Sequence, residues 1–361
     1  MKKISLAMIV KNEMKHLARC IKSVKDIIDE IVIVDTGSTD LTKEIALKHD
    51  AKVFSYKWNN SFADARNFSL NQATGDWCLV LDADEFLPEQ NKGEIRNFIE
   101  NYHGIGRLKI VSKYIDNGEQ KSSFAYVSRL FPRDVRYSGR IHEQIVSDLP
   151  HYRLPIIVNH DGYLTHNEEK AQRNISLLQE EYTIDSENPY IIYQLAKEYK
   201  RAKKREMAFT YFNKAYKFLN GSEGYFPVFA VDYIYLLIET DHFKVCDQVI
   251  KECSPILDDY PDFHFARGLF TMNYLIKGGL TDPSQIYWIE ESFRKCLSIG
   301  ETDKYDSVIG TGSFLAYYNL GVFYEVVGKI QDAIACYKMS SQHDYGPAAI
   351  RLRRLNIPQS N

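Results

Sequence analysis

Three carboxylates close an apolar run: Trp77-Cys78-Leu79-Val80-Leu81 leads into Asp82-Ala83-Asp84-Glu85. Apolar residues between Gly75 and a burst of charge read as a buried strand. Acids at the tip of such a strand offer the oxygen ligands that a hard divalent cation prefers, and a cation held this way suits a diphosphate. Two earlier apolar runs also end in polar residues. Ile4 to Val10 meets Lys11-Asn12-Glu13, and Ile31 to Val34 meets Asp35. Open parallel sheets bind ligands beyond the carboxyl ends of their strands, where strand order reverses. With the order 3-2-1-4, Asn12, Glu13, Asp35, Asp82 and Asp84 lie along one sheet edge and form one candidate nucleotide site.

No GxxxxGK[ST] occurs, and no GxGxxG follows the first strand. A P-loop or dinucleotide fold is therefore not expected. Metal and basic side chains must neutralise the phosphates instead. Arg66, in Phe62-Ala63-Asp64-Ala65-Arg66-Asn67, is the candidate basic partner; its bland alternative is a helix-surface arginine.

These residues need an α/β frame. Strands are expected over Ile4 to Val10, Ile31 to Val34, Lys52 to Tyr56 and Trp77 to Leu81. Helices are expected between them, from Leu17 to Val24, about Leu41 to His49, and Phe62 to Ala73. Such alternation predicts a mainly parallel sheet with helices on both faces. From about residue 105 to 165, strand-like pieces (Leu108 to Tyr114, Ile156 to Val158) mix with Arg-, Tyr- and His-rich loops and read as the acceptor side. The remainder is helical and repetitive, with the small and aromatic residues of a tetratricopeptide period. One copy begins near Pro189 (Leu195, Ala196, Tyr199, Ala208, Phe212, Ala215). Another begins near Phe314 (Tyr317, Leu320, Gly321, Tyr324, Gly328, Ala333, Tyr337). The gap between them predicts two weaker copies and one insertion around Gly278 to Ser284. The alternative is an unrelated helical bundle. The expected domains are 1–168 and 169–361.

The 361 residues carry a net charge of -3 with acids and bases mixed, which gives no footprint for nucleic acid. Six scattered cysteines without a CxxC fit a reduced, cytoplasmic protein rather than a zinc site. The Met1-Lys2-Lys3 start imitates a signal peptide, but charge returns at Lys11. No stretch approaches the roughly 18 apolar residues of a membrane span.

Val10-Lys11-Asn12-Glu13, Ile31 to Asp40, Ala65-Arg66-Asn67 and Leu81-Asp82-Ala83-Asp84-Glu85 together resemble the successive motifs of family 2 glycosyltransferases, over roughly residues 1 to 165. The resemblance implies the GT-A nucleotide-diphospho-sugar transferase fold, a nucleotide-sugar donor such as a UDP-sugar, inversion, and Mg²⁺ or Mn²⁺. It implies that Asp35 contacts the base, that Asp82 lies near ribose and metal, that Asp84 binds the metal, and that Glu13 and Arg66 line the nucleotide pocket. Phe62 to Asn67, Gly139-Arg140-Ile141-His142-Glu143, His160-Asp161-Gly162-Tyr163 and Arg173-Asn174-Ile175 further resemble the sublancin-type peptide S-glycosyltransferases. That implies a Cys, Ser or Thr of a peptide as acceptor, as in bacteriocin maturation, and a homodimer as one assembly. Lipopolysaccharide-core transferases carry related His-Glu segments, so a cell-surface glycan stays open, as does a non-catalytic tetratricopeptide binding protein.

An inverting displacement needs a base for the acceptor. Asp82 and Asp84 are occupied if they hold the cation, so Glu143, beside His142, is the expected base and Asp134 the runner-up. Alternatively, Glu143 only orients His142 or an arginine. His142 and His160 are candidates for a further metal or phosphate contact. The helical repeats, whose stacked pairs form concave surfaces, are expected to hold a peptide or protein acceptor or a partner.

Overall fold

The computed structural model describes residues 1–88, 92–116, 118–163, 168–279 and 283–355. The chain divides into two compact units, Met1–Ser186 and Glu187–Asn361.

The first unit begins β1(Ile4–Val10), α1(Leu17–Val24), β2(Glu30–Asp35), α2(Thr42–Lys48), β3(Lys52–Ser55), α3(Phe62–Gln72), β4(Trp77–Val80). It continues β5(Glu85–Phe86), α4(Lys92–Asn101), β6(Ile105–Asp116), β7(Glu119–Pro132), β8(Arg136–Ser138), β9(Gln144–Val146), β10(His151–Tyr163), α5(Glu168–Ile184). The sheet order is β3-β2-β1-β4-β7-β6-β10-β5. β3, β2, β1 and β4 are mutually parallel, so the expected order 3-2-1-4 is the observed one. β7 then runs antiparallel to both β4 and β6, and β10 pairs parallel to β6. Side chains alternate between the faces of β1 as strand geometry requires. Ile4, Leu6, Met8 and Val10 pack with Leu17, Cys20, Ile21 and Val24 of α1 and Ile95, Phe98 and Ile99 of α4. Ala7, with Val32, Cys78 and Val80, packs on Ala63 and Leu70 of α3. Helices thus cover both faces of the parallel half, and its polar strand ends are left at one edge. Ile4–Val10 lies between β2 and β4 with helices over both of its faces, which is why it is so apolar.

The second unit holds α6(Pro189–Arg201), α7(Arg205–Phe218), α8(Phe226–Glu239), α9(Phe243–Cys253), α10(Pro261–Ile276), α11(Tyr287–Ile299), α12(Phe314–Val326), α13(Ile330–Ser341) and α14(Gly346–Arg354). Successive pairs α6/α7, α8/α9, α10/α11 and α12/α13 give the four expected copies. Their first helices start 37, 35 and 53 residues apart. The surplus therefore sits in the third copy. It is shared between the α10–α11 connection, where the insertion was expected, and residues 300–313, where it was not. Residues 280–282 of the expected insertion lie outside the described residues. The last two pairs close on a glycine facing an aromatic ring. Gly321 faces Tyr337, and Gly268 faces Phe293.

The boundary expected at 168/169 moves to 186/187. Helix α5 packs with the first unit, where Arg140 pairs with Glu180 at 3.1 Å and Glu181 at 3.3 Å. All six cysteines are free and buried. Among the described residues, no helix is long and apolar enough to cross a membrane.

Candidate functional site

The carboxyl ends of β1, β2 and β4 carry Asn12, Glu13, Asp35 and Asp82, as their sequence positions require. Asn12 adopts a left-handed φ of 59°. It ties the first two strand ends together: its N–H donates to Ser38 Oγ at 2.9 Å, and its Oδ1 accepts from the Thr39 N–H at 2.8 Å. Asp35 is 1% exposed. It accepts from the N–H groups of Gly37 and Ser38 and pairs with Lys43 at 3.1 Å. Burial works to raise its pKa, but these hydrogen bonds outweigh burial and hold the carboxyl below its usual range. Glu13 donates its N–H to Thr42 Oγ1 at 2.8 Å. Burial first, and the nearby Asp84 charge second, push the Glu13 carboxyl up to about 7.

Asp82 is held by two arginines. Arg66 Nη2 donates to Oδ1 and Arg129 Nη2 to Oδ2, each at 2.8 Å. Burial opposes ionisation, yet the two guanidinium charges dominate and keep Asp82 well below the ordinary carboxylate range. Arg66 Nε also donates to Glu143 Oε1, and Arg129 Nη2 also donates to Glu85 Oε1. Arg66 and Arg129 are buried, as is Glu85. Two buried cations therefore face three acids. Arg66 Nη1, Arg129 Nε and the buried Tyr137 hydroxyl have no hydrogen-bond partner among the described residues.

Asp84 escapes this network and turns to the other side. Its Oδ2 lies 3.4 Å from His160 Nε2 on β10, and Ser112 Oγ of β6 lies 3.0 Å from His160 Nδ1. Burial resists both charges, but the pairing wins. Asp84 is lowered and His160 is raised from their ordinary values.

Glu143 reaches Arg66 because the loop after β8 bends sharply. Gly139 and His142 both take left-handed φ values, 94° and 51°. That conformation is free for glycine and strained for histidine. The loop is anchored to α3 at two points. Asn67 exchanges two hydrogen bonds with the backbone of Tyr137, both at 2.9 Å, and the Phe62 N–H donates to the Arg140 carbonyl at 2.7 Å. Ser61 caps α3 by accepting from the Asp64 N–H at 3.1 Å. Arg66-Asn67 is thus a docking pair on one helix, and the surface-arginine alternative is excluded by its burial.

Two expectations are corrected. Asp134 is exposed on the turn after β7, where Arg133 N–H meets the Asp76 carbonyl and Pro132 pairs with Trp77. That is the amino end of β4, a strand length away from Asp82, so Asp134 is not the base. Asp82 was expected to bind metal, but both of its oxygens are engaged by guanidinium groups. Asp84 and His160 remain as the candidate residues for a cation. Among the described residues, no three His, Cys, Asp or Glu side chains form a metal cluster. A carboxylate with an imidazole beside it fits Mg²⁺ or Mn²⁺ only if diphosphate oxygens and water complete the shell, which is how such cations are commonly held. Arg129 and Ser112 were given no role from sequence, Asn67 was quoted only within a motif, and Glu85 only as one of the three acids at the strand tip. A single arginine within an alternating strand carries no signal of its own.

A parallel sheet with a polar carboxyl edge, an acidic turn after β4 and a mixed extension defines the nucleotide-diphospho-sugar transferase class of α/β domain. Residues 5–148 match the family model Glycosyl transferase family 2, and the first unit carries a domain of that family. The chain is 32% identical over 223 residues to the SPbeta prophage-derived glycosyltransferase SunS of Bacillus subtilis, covering 59% of this chain and 53% of that protein. It is 35% identical over 176 residues to a TPR repeat-containing protein of Synechococcus elongatus, covering 45% and 43%. It is 39% identical over 127 residues to an uncharacterized glycosyltransferase of Rickettsia typhi, covering 34% and 42%. The chain spans about half the length of the first two of these relatives.

Proposed function

We propose that the protein is a cation-dependent, inverting glycosyltransferase that moves a sugar from a UDP-sugar to a Cys, Ser or Thr side chain of a peptide. The observation that carries this reading is the division of labour in the acidic turn, where Asp82 is committed to two arginines while Asp84 faces His160. Asp84 and His160 would hold Mg²⁺ or Mn²⁺, which as a Lewis acid would stabilise the departing diphosphate. Asn12, Glu13 and Asp35 line the same sheet edge for the nucleotide, and Arg66 adds the positive charge beside it.

In this reading Glu143 acts as the base. Its Oε1 is fixed by Arg66, while Oε2 makes no hydrogen bond or ion pair among the described residues. In the proposed step, Oε2 takes the proton of the acceptor thiol or hydroxyl. The freed lone pair bonds to the anomeric carbon, and the anomeric C–O pair leaves with UDP. Fixing one oxygen of the base orients the other, at no entropic cost during the reaction.

The helical repeats support a peptide acceptor, since stacked helix pairs present extended concave surfaces. So does the resemblance of the Gly139 to Glu143 segment to peptide S-glycosyltransferases. Radiolabelled UDP-sugars offered together with cysteine-, serine- and threonine-containing peptides and with surface glycans test the reading. Label in peptide is expected. Label in glycan alone overturns the acceptor assignment, and no transfer with any nucleotide sugar overturns the enzymatic one.

A further inference from the structure

Arg129 stands on β7, the strand beside β4. Its Nη2 donates to Asp82 Oδ2 at 2.8 Å and to Glu85 Oε1. Those two acids begin and end the turn that follows β4. The turn also closes on itself, since the Asp82 N–H donates to Glu85 Oε2 at 2.9 Å and the Glu85 N–H to the Asp82 carbonyl at 3.0 Å. Ala83 and Asp84 are the two corner residues of this closed loop. Arg129 is 7% exposed and Glu85 3%, so this is not a surface ion pair that water can replace. A buried carboxylate deprived of its guanidinium is costly to leave in place, and Glu85 carries the hydrogen bond that shapes the turn.

We infer that Arg129 is a positioning residue for the transfer reaction. Through Asp82 and Glu85 it sets the turn that aims Asp84 at His160. The inference rests on the proposed reading of Asp84 and His160 as the cation pair. β6 supplies the matching support from the other side, because Ser112 fixes Nδ1 of His160 at 3.0 Å. The neighbouring strands β7 and β6 thus orient the acid and the imidazole respectively. Arg129 acts at a distance of one residue from Asp84, so it governs how tightly the cation binds rather than how the nucleotide base is recognised.

The test uses the full chain. Mn²⁺ is titrated at a fixed UDP concentration, and retained UDP is read by equilibrium dialysis. The double variant Arg129→Met with Glu85→Gln removes both buried charges and keeps an acceptor for the Asp82 N–H. Arg129→Lys keeps a cation. Groups that orient metal-binding side chains commonly change metal affinity 10- to 100-fold, so the Mn²⁺ midpoint of the double variant is expected to rise by roughly that factor. UDP retention at saturating Mn²⁺ is expected to match that of the unaltered protein, with Arg129→Lys intermediate. An unchanged midpoint overturns the inference. So does a uniform loss of UDP retention without a midpoint shift, which is the signature of a merely structural arginine. If the double variant does not fold, the Arg129→Lys midpoint decides alone. An unaltered protein that retains no UDP at any Mn²⁺ concentration overturns the donor-site reading, and the inference with it, before any variant is compared.

Discussion

Glu143 Oε1 accepts from Arg66 Nε across 77 positions of sequence. This contact ties the loop after β8 to helix α3 and places a carboxylate next to the arginine that already holds Asp82. It turns two residues from separate motifs into one unit with two functions, a fixed oxygen and an available one.

Glu143→Gln keeps an oxygen for Arg66 and removes the basic one. Transfer is expected to fall about 10²- to 10⁴-fold, the ordinary worth of a general base, while the UDP dissociation constant with Mn²⁺ changes little. Steady-state kinetics alongside dialysis check this. Retained turnover would leave Glu143 with only its anchoring role.

Arg66→Met strips a buried cation from Asp82 and Glu143 together. Breaking a buried pair by removing one partner typically costs about 3–5 kcal/mol, and denaturant unfolding of the first unit should show a loss of that order. The pH dependence has a definite sign. Asp82 is lowered in the folded state, so its contribution is complete above the unfolded carboxylate pKa of about 3.9 and fades as pH falls below it. In Arg66→Met this acid-sensitive component should shrink.

Asp262, buried at the start of α10, accepts from the hydroxyls of Ser307 and Thr311 and from the Val308 N–H at 2.8 Å. Burial outweighs these bonds and pushes its carboxyl up to about 6. A raised acid binds its proton more tightly when folded, so stability falls as pH rises from about 4 to about 6, by about 3 kcal/mol in all. Asp262→Asn should flatten that window when urea unfolding of the second unit is followed against pH. An unchanged slope would contradict the assignment.

Gly321→Ala places a methyl 2.7 Å from the Tyr337 ring. Tyr337 is fully buried and donates its hydroxyl to Glu325 at 2.6 Å, so the ring has little room to withdraw. Overpacking of this kind costs about 1–3 kcal/mol, measurable as a lower unfolding midpoint of the second unit.

The parallel half of the sheet was legible because its strands are buried on both faces and read as unbroken apolar runs. Their polar ends then had to fall on one edge, so Asn12, Glu13, Asp35 and Asp82 were found together. The repeats were legible from Gly321 and Tyr337, since close helix packing requires a small residue opposite a ring. What stayed hidden depends on contacts between distant strands. Nothing local in Ser128-Arg129-Leu130 says that the arginine points at Asp82 and Glu85 rather than at water. Asp134 stood as the runner-up to Glu143 until β7 was seen to pair with the amino end of β4. Asp82 stayed a candidate ligand beside Asp84 until two guanidinium groups were seen to claim both of its oxygens. The domain boundary was missed because α5 is helical, like the repeats, yet packs with the first unit.

The most direct measurement is calorimetry of UDP with and without Mn²⁺, on the unaltered protein and on Asp84→Asn. The account predicts that the unaltered protein binds UDP much more tightly with Mn²⁺ and loses that gain in a chelator. Asp84→Asn should bind UDP equally weakly under both conditions. Tight UDP binding that ignores Mn²⁺, or a Mn²⁺ effect that survives in Asp84→Asn, would contradict it.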